Sequence, residues 1–185
     1  MTTHPTAEDV AAYARNERPT EDSAFIEEAR LAAIQTICDG CQRYFAVASD
    51  TASARTFAPS GTDWLYIGDC TEVTTVVEDG TTLTVSTDYQ LEPVTATNFA
   101  GLAVPYNSLR RLDRCWYTDG PRGTVVVTAK WGFASVPSRI VEAVKILTRD
   151  IVDNRDVDPA LLATTNPVVR AAIEDYRGPM SWGIA

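Results

Sequence analysis

One stretch constrains this chain more than any other: Thr124 to Arg155, TVVVTAKWGFASVPSRIVEAVKILTRDIVDNR. Its opening is dense in β-branched side chains that alternate. Val125, Val127 and Ala129 fall on one face of an extended segment, and Val126, Thr128 and Lys130 on the other. Gly132 breaks that run. Ser135 or Val136 then precedes Pro137, and proline suits a first helical turn, where its missing N–H is not needed. Beyond it Ile140, Val144, Leu147 and Ile151 lie on one helical stripe, widened by Val141 and Thr148. The expected order is a strand, a short rigid bend carrying Trp131, Gly132, Phe133 and Pro137, and an amphipathic helix. A strand needs pairing partners and a helix with an apolar stripe needs a surface to cover it, so the fold class is α+β.

Upstream, Thr6-x-x-Asp9 reads as a helix-capping signal, with Glu8 and Asp9 in the first turn where the helix dipole favours acids. It predicts a short helix over Ala7–Arg15. Thr20, followed by Glu21 and Asp22, caps a second helix running to about Gly40, with Ile26, Ala29, Ala33 and Ile37 as its apolar stripe. The middle of the chain changes character. Strands are predicted at Arg55–Ala58, Trp64–Ile67, Val73–Val77, Thr81–Val85 and Tyr89–Leu91. Glu78-Asp79-Gly80 is the turn of a Thr/Val hairpin, because Asp-Gly supplies the positive φ angles such a turn needs. Thr95–Asn107 is expected to be a loop. At the C-terminal end, Asp158-Pro159 and Asn166-Pro167 repeat one device, a capping side chain followed by a first-turn proline. They predict a turn over Pro159–Ala163 and a helix from Pro167 to about Tyr176, with Val169, Ala172, Ile173 and Tyr176 as its apolar face. The organisation expected is therefore 1–45 as N-terminal helices, 46–131 as an inserted antiparallel β lobe, 132–157 as the main helix of the helical body and 158–185 as a C-terminal docking segment.

The chain has 185 residues, with 25 acids against 16 bases and a net charge of −9. No region is basic, and tight nucleic-acid binding needs clustered Lys and Arg. An acidic wall lets a duplex slide past without sticking, although its commoner meaning is solubility. No apolar run approaches the roughly 20 residues of a membrane span. Met1–Asp9 is polar with no signal-peptide core, which predicts a chain made in a cytoplasm. Cys38-x-x-Cys41 has the spacing of half a zinc site. It lacks a second pair, the one histidine is His4, and Ile34, Cys38, Cys41 and Phe45 share a helical stripe. These thiols are read as small buried hydrophobes, and no metal or other cofactor is expected.

No motif for catalysis stands out. Cys115 beside Arg114 lacks a histidine base. Asp150, Asp153, Asp156 and Asp158 lack the glycine and terminal glutamate of a calcium loop and alternate with Arg149 and Arg155. Arg110, Arg111 and Arg114 form a local basic cluster whose plainest use is pairing with acids. The chain is not expected to be an enzyme.

The run V-x-V-T-x-x-W-G-F-A-x-V-P (Val125–Pro137), leading into an apolar helix and a D-x-R-D exit (Asp153–Asp156), resembles the head-to-tail connector (adaptor) proteins of long-tailed bacteriophages. W-L-x-I-G-D (Trp64–Asp69) and D-Y-x-L-x-P (Asp88–Pro93) resemble members with a β insert, and N-P-x-V-R-x-x-I-x-x-Y-R (Asn166–Arg177) resembles the family's C-terminal segment. The resemblance implies a virion structural protein of the neck. It would form a ring of twelve copies below the portal protein, with genomic DNA passing through without sequence-specific binding and a stopper or tail protein on the other side. Under that reading Pro167, Val169, Arg170, Ile173, Tyr176, Arg177 and Trp182 would dock on the portal. Arg139, Glu142, Lys145, Arg149, Asp153 and Arg155 would make ring contacts. Two alternatives are another neck protein, either stopper or tail-completion, and a small β-domain module binding carbohydrate or peptide through Trp64, Tyr66 and Trp116. The last requires those aromatics to share an exposed groove.

Overall fold

The computed structural model describes residues 3–13, 23–95, 103–118 and 123–178. They are mixed α+β, with five helices and a six-stranded antiparallel sheet among the described residues. The chain divides into two compact units, Met1–Phe45 with Ser135–Ala185, and Ala46–Ala134.

The first unit is helical. It comprises α1 (Ala7–Tyr13), α2 (Ser23–Cys41), α3 (Ser138–Asp153), α4 (Pro159–Thr165) and α5 (Pro167–Tyr176). The expected stripe on α3 is its core: Ile140, Val144 and Leu147 are fully buried and Ile151 nearly so. Thr148 is also fully buried, and its hydroxyl donates to the Val144 carbonyl at 2.6 Å, which satisfies it inside its own helix. α3 packs chiefly on α2, whose Ile26, Ala29, Ala33 and Ile37 are buried as the spacing predicts. The small alanines let the two backbones approach. Pro137 differs from expectation: it is the N-cap of α3 rather than a first-turn residue, and its carbonyl accepts from the N–H groups of Ile140 and Val141. The other caps follow the sequence. Thr6 and Asp9 exchange backbone and side-chain bonds (Thr6 N–H to Asp9 Oδ2 at 2.8 Å, Asp9 N–H to Thr6 Oγ1 at 3.2 Å). Asp158 accepts from the Ala160 N–H at 2.8 Å, and Asn166 from those of Val168 and Val169. α1 ends at Tyr13. Arg15 and the expected cap Thr20 lie outside the described residues.

The second unit is the sheet: β1 (Ser53–Phe57), β2 (Trp64–Glu78), β3 (Thr81–Thr82), β4 (Tyr89–Glu92), β5 (Tyr106–Arg111) and β6 (Val125–Trp131). The order is β1-β6-β2-β5-β4, with β3 pairing the end of β2. The two strands expected at Trp64–Ile67 and Val73–Val77 are one fifteen-residue strand. Gly68 (φ +81°) and three register shifts bend it, so its first half pairs β5 and its second half pairs β6. Its inward residues, Leu65, Ile67, Cys70 and Val76, share a core with Leu109, Trp116, Val125, Val127 and Ala129. The hairpin turn forms where Asp79-Gly80 predicts it, with φ of +51° and +73°. β3 is shorter than the predicted Thr81–Val85, because the Thr84 N–H turns to Asp88 Oδ2 (2.7 Å) and Ser86 takes a positive φ. β5 begins inside the region expected to be loop.

After β6 the chain is held by its backbone. The Gly132 N–H donates to the Asp69 carbonyl, Phe133 to that of Ala46, and Ala48 to that of Phe133, each at 2.8 Å. Gly132 has φ +117°, and a Cβ there would lie 2.6 Å from the Ala46 carbonyl oxygen and 3.0 Å from the Ala48 nitrogen. Both the conformation and the space demand glycine. Gly132→Ala is therefore expected to destabilise the sheet unit by at least about 2 kcal/mol, against about 1 kcal/mol for Gly80→Ala, whose positive φ stands in open space. Urea unfolding followed by circular dichroism measures both.

Candidate functional site

The residues expected to dock on a partner sit on α5, and the structure sorts them into two sets. Val169, Ala172 and Ile173 are buried within the chain's own helical unit. Ile173 lies against Gly40, where a Cβ would come within 3.1 Å of its Cγ2. Tyr176 is half-buried, edge-on to Phe45 at 6.0 Å between ring centroids. A ten-residue helix is marginal alone in water, and here the surface that stabilises it is α2 and α3 of the same chain. Val169 and Ile173 are thus core residues in this chain. The solvent side of α5 carries Pro167, Val168, Arg170, Glu174, Asp175 and Arg177, with Arg170 3.8 Å from Glu174. Trp182 lies outside the described residues.

The charged residues of α3 mostly meet their own chain. Arg139 pairs with Asp175. Glu142 accepts from the Tyr13 hydroxyl, which helps raise the Tyr13 pKa above its ordinary value together with the larger effect of burial. Lys145 faces Asp9, whose carboxyl lies below its usual range chiefly because the Thr6 N–H and hydroxyl donate to it. Arg149 holds Asp150 at 2.7 Å, and Asp150 in turn accepts from Asn166 Nδ2 at 2.7 Å. The Arg155 guanidinium stacks 4.3 Å from the Phe25 ring centroid. Asp153 is exposed. Of the expected bend residues, Trp131 and Phe133 are buried, and the Trp131 indole donates to the Ser53 carbonyl at 2.8 Å under the Arg55 guanidinium.

The β unit holds a polar cluster that sequence reasoning missed. Glu78 was legible only as a turn residue, yet its side chain is fully buried. It accepts from Arg114 through both carboxylate oxygens (2.7 and 3.4 Å) and from the Tyr117 N–H at 2.9 Å, with Arg111 at 3.6 Å. Arg111 is itself buried, reaches the Asp88 carbonyl at 3.3 Å and lies over Trp116. Arg114 stacks 3.8 Å from the Tyr117 ring centroid. The signal was parity: Glu78 is two residues from Val76 and so points to the same inner face. The arginine cluster is thus paired with acids of its own chain, Arg110 with Asp63 at 3.0 Å included. The arrangement pins the segment after β5 onto the end of β2. Trp116 is also buried, its indole donating to the Asp63 carbonyl at 3.1 Å, whereas Trp64 is 44% exposed. The three aromatics proposed for a carbohydrate or peptide groove do not share one.

Cys38, Cys41 and Cys70 are buried and Cys115 is exposed. Burial pushes the Cys41 thiol up to about 11 and Cys70 up to about 12, and raises Cys38 in the same direction. These are packed, protonated thiols, and no group of three His, Cys, Asp or Glu side chains among the described residues is placed to hold a metal. No described helix is long and apolar enough to cross a membrane.

The fold is shared with gene transfer agent particles. A chain from the neck of an empty GTA particle computed with C6 symmetry aligns over 96% of this chain and 91% of its own, with a TM-score of 0.58 and 18% identity. A chain from the virion of a native gene transfer agent particle aligns over 99% and 96%, at 0.59 and 18%. A chain from the neck of a native GTA particle computed with C12 symmetry aligns over 99% and 98%, at 0.54 and 18%. No family model and no curated protein matches the chain.

Two outcomes follow from these geometries. Glu78→Gln leaves two arginines beside a neutral group and is expected to cost about 3–5 kcal/mol, read as a lower urea midpoint and a loss of near-ultraviolet signal from Trp116. At pH 8, iodoacetamide is expected to label Cys115 alone in the folded chain, and Cys38, Cys41 and Cys70 only on unfolding, as peptide mass spectrometry will show.

Proposed function

We propose that this chain is a structural protein of the neck of a phage-like particle, acting as the adaptor ring between portal and tail. The observation that carries the reading is a fold shared, over nearly the whole length of both chains, with proteins of gene transfer agent particles, two of them from the neck. The motifs at Val125–Pro137 and Asn166–Arg177 support the same reading. The ring would hold twelve copies, with DNA passing through its centre, and the net charge of −9 suits a wall that does not retain a duplex. No residue is assigned a chemical step. A head-to-tail ring needs two different complementary faces.

In this reading the portal is met by the solvent side of α5, which bears Pro167, Val168, Arg170 and Arg177, together with the segment beyond Gly178 that includes Trp182. Val169, Ile173 and Tyr176 support that face from within. Asp153 at the end of α3 remains the ring-contact candidate, since Arg139, Glu142, Lys145 and Arg149 face groups of their own chain and Arg155 stacks on Phe25.

Mass photometry of the chain, alone and mixed with the cognate portal protein, tests the role. A ring of twelve chains on the portal is expected. A chain that stays monomeric with the portal present would overturn the adaptor reading. Arg170→Glu combined with Val168→Asp is expected to weaken portal binding at least about tenfold, equivalent to about 1.4 kcal/mol. Both side chains are exposed, so the melting temperature should stay within a degree or two of the parent.

A further inference from the structure

The one histidine of the chain, His4, stands just ahead of the α1 capping residue Thr6. Its side chain is half-buried and donates a hydrogen bond to the Phe45 carbonyl. Nδ1 is shut off from solvent and meets no hydrogen-bond partner among the described residues. Nε2 is therefore the donor, and the second ring nitrogen is bare. Phe45 is fully buried and is the last residue of the helical unit before the sheet segment. Its backbone is held on both sides, since its N–H reaches the Cys38 thiol while its carbonyl takes the His4 ring.

The neighbouring groups are already committed. From α2, Arg30 donates to the Pro5 carbonyl at 3.3 Å and grips Glu27 at 2.8 and 2.6 Å. From α1, Asp9 accepts from the Thr6 N–H and hydroxyl, each at 2.8 Å. From α5, Tyr176 stands edge-on to the Phe45 ring. A second proton on the imidazole would sit on Nδ1. It would be a buried donor without an acceptor, which costs more than a typical hydrogen bond contributes, and it would add positive charge near Arg30.

We propose that His4 is a proton-operated clasp on α1. The neutral ring holds the first segment to the Phe45 carbonyl and so seats α1 on α2 and α3; the protonated ring lets go, and the face under Val10 is uncovered. Burial lowers the His4 pKa below its ordinary value; the Phe45 carbonyl opposes this and Arg30 adds to it. Folding thus favours the neutral ring, so the clasp is whole above about pH 6.5 and is lost as the pH falls from there toward the lowered value. Asp9 and Glu27 are both held below the usual carboxylate range, by Thr6 and by Arg30, and stay charged across that window.

The test uses the full chain without any partner, so its outcome is independent of the adaptor reading. With one histidine, a proton NMR titration of the imidazole reads His4 directly, in the folded chain and in urea. Hydrogen exchange, corrected for the intrinsic effect of pH, then compares about pH 7 with about pH 5 on either side of the ordinary histidine value. The expected result is a His4 pKa lower in the folded chain than in urea. With it, protection of α1 should fall at least about threefold at the lower pH while α3 keeps its own. His4→Gln retains a side-chain N–H for the Phe45 carbonyl but does not titrate, and it should hold α1 equally at both pH values. A folded His4 pKa at or above that in urea would overturn the proposal. So would an equal loss of protection in His4→Gln, which would assign the loosening to carboxylates, or a loss spread evenly over all five helices, which would make it global unfolding.

Discussion

Burial of the α3 stripe is the interaction on which the helical unit depends. Ile140, Val144, Leu147 and Ile151 are covered by side chains drawn from α2 before the sheet segment and α5 after α3. Each such aliphatic contributes roughly 1.5–3 kcal/mol when fully buried, and none of it is available to α3 alone. The seam between the two halves is tight where side chains are smallest. Ala29 and Ala33 let α2 approach, Gly40 admits Ile173, and Gly178 closes onto the Cys41 carbonyl.

The sheet unit answers a different constraint. β2 serves two sets of partners in succession, so it has to bend, and the bend is made with Gly68 and shifted registers rather than with a break. Beyond its end the chain must return without a strand to pair. There a buried carboxylate does what a ladder would do elsewhere: Glu78 gathers two guanidinium groups and a backbone N–H from the Arg111–Tyr117 segment. Such a cluster is weak as a source of net stability but strict about geometry, because each charge is tolerable only while the others stay in place.

The elements with strong periodicity were legible: α2, α3, α5, β6 and the Asp79-Gly80 turn stand where spacing and turn chemistry put them. What the sequence hid has particular causes. Asn107, Ser108, Arg110 and Arg111 give β5 a polar face that reads as loop, although Ser108 and Arg111 are buried. Gly68 reads as a terminator of β2, whereas a bulged strand uses it to turn. On α5 the apolar face is legible as a face, but the surface that covers it is not. Amphipathicity states that something covers Val169 and Ile173, and only the packing shows that α2 and α3 of the same chain do. The α3 charges were obscured likewise, since a helix face of alternating Arg and Asp looks the same whether its partners are on a neighbour or on α1.

The discontinuity of the helical unit carries a consequence for how the chain comes off the ribosome. The described strands of residues 46–134 pair with one another, so the sheet can close as soon as β6 has left the exit tunnel. The helices α1 and α2 emerge first yet wait the longest, holding Ile26, Ala33, Ile37 and Phe45 without cover until α3 arrives about a hundred residues later, some 5–20 s at ordinary synthesis rates. During that interval the nascent chain presents a finished sheet and an unfinished apolar helix. The apolar face of α2 is therefore the part of this chain that waits longest for its cover.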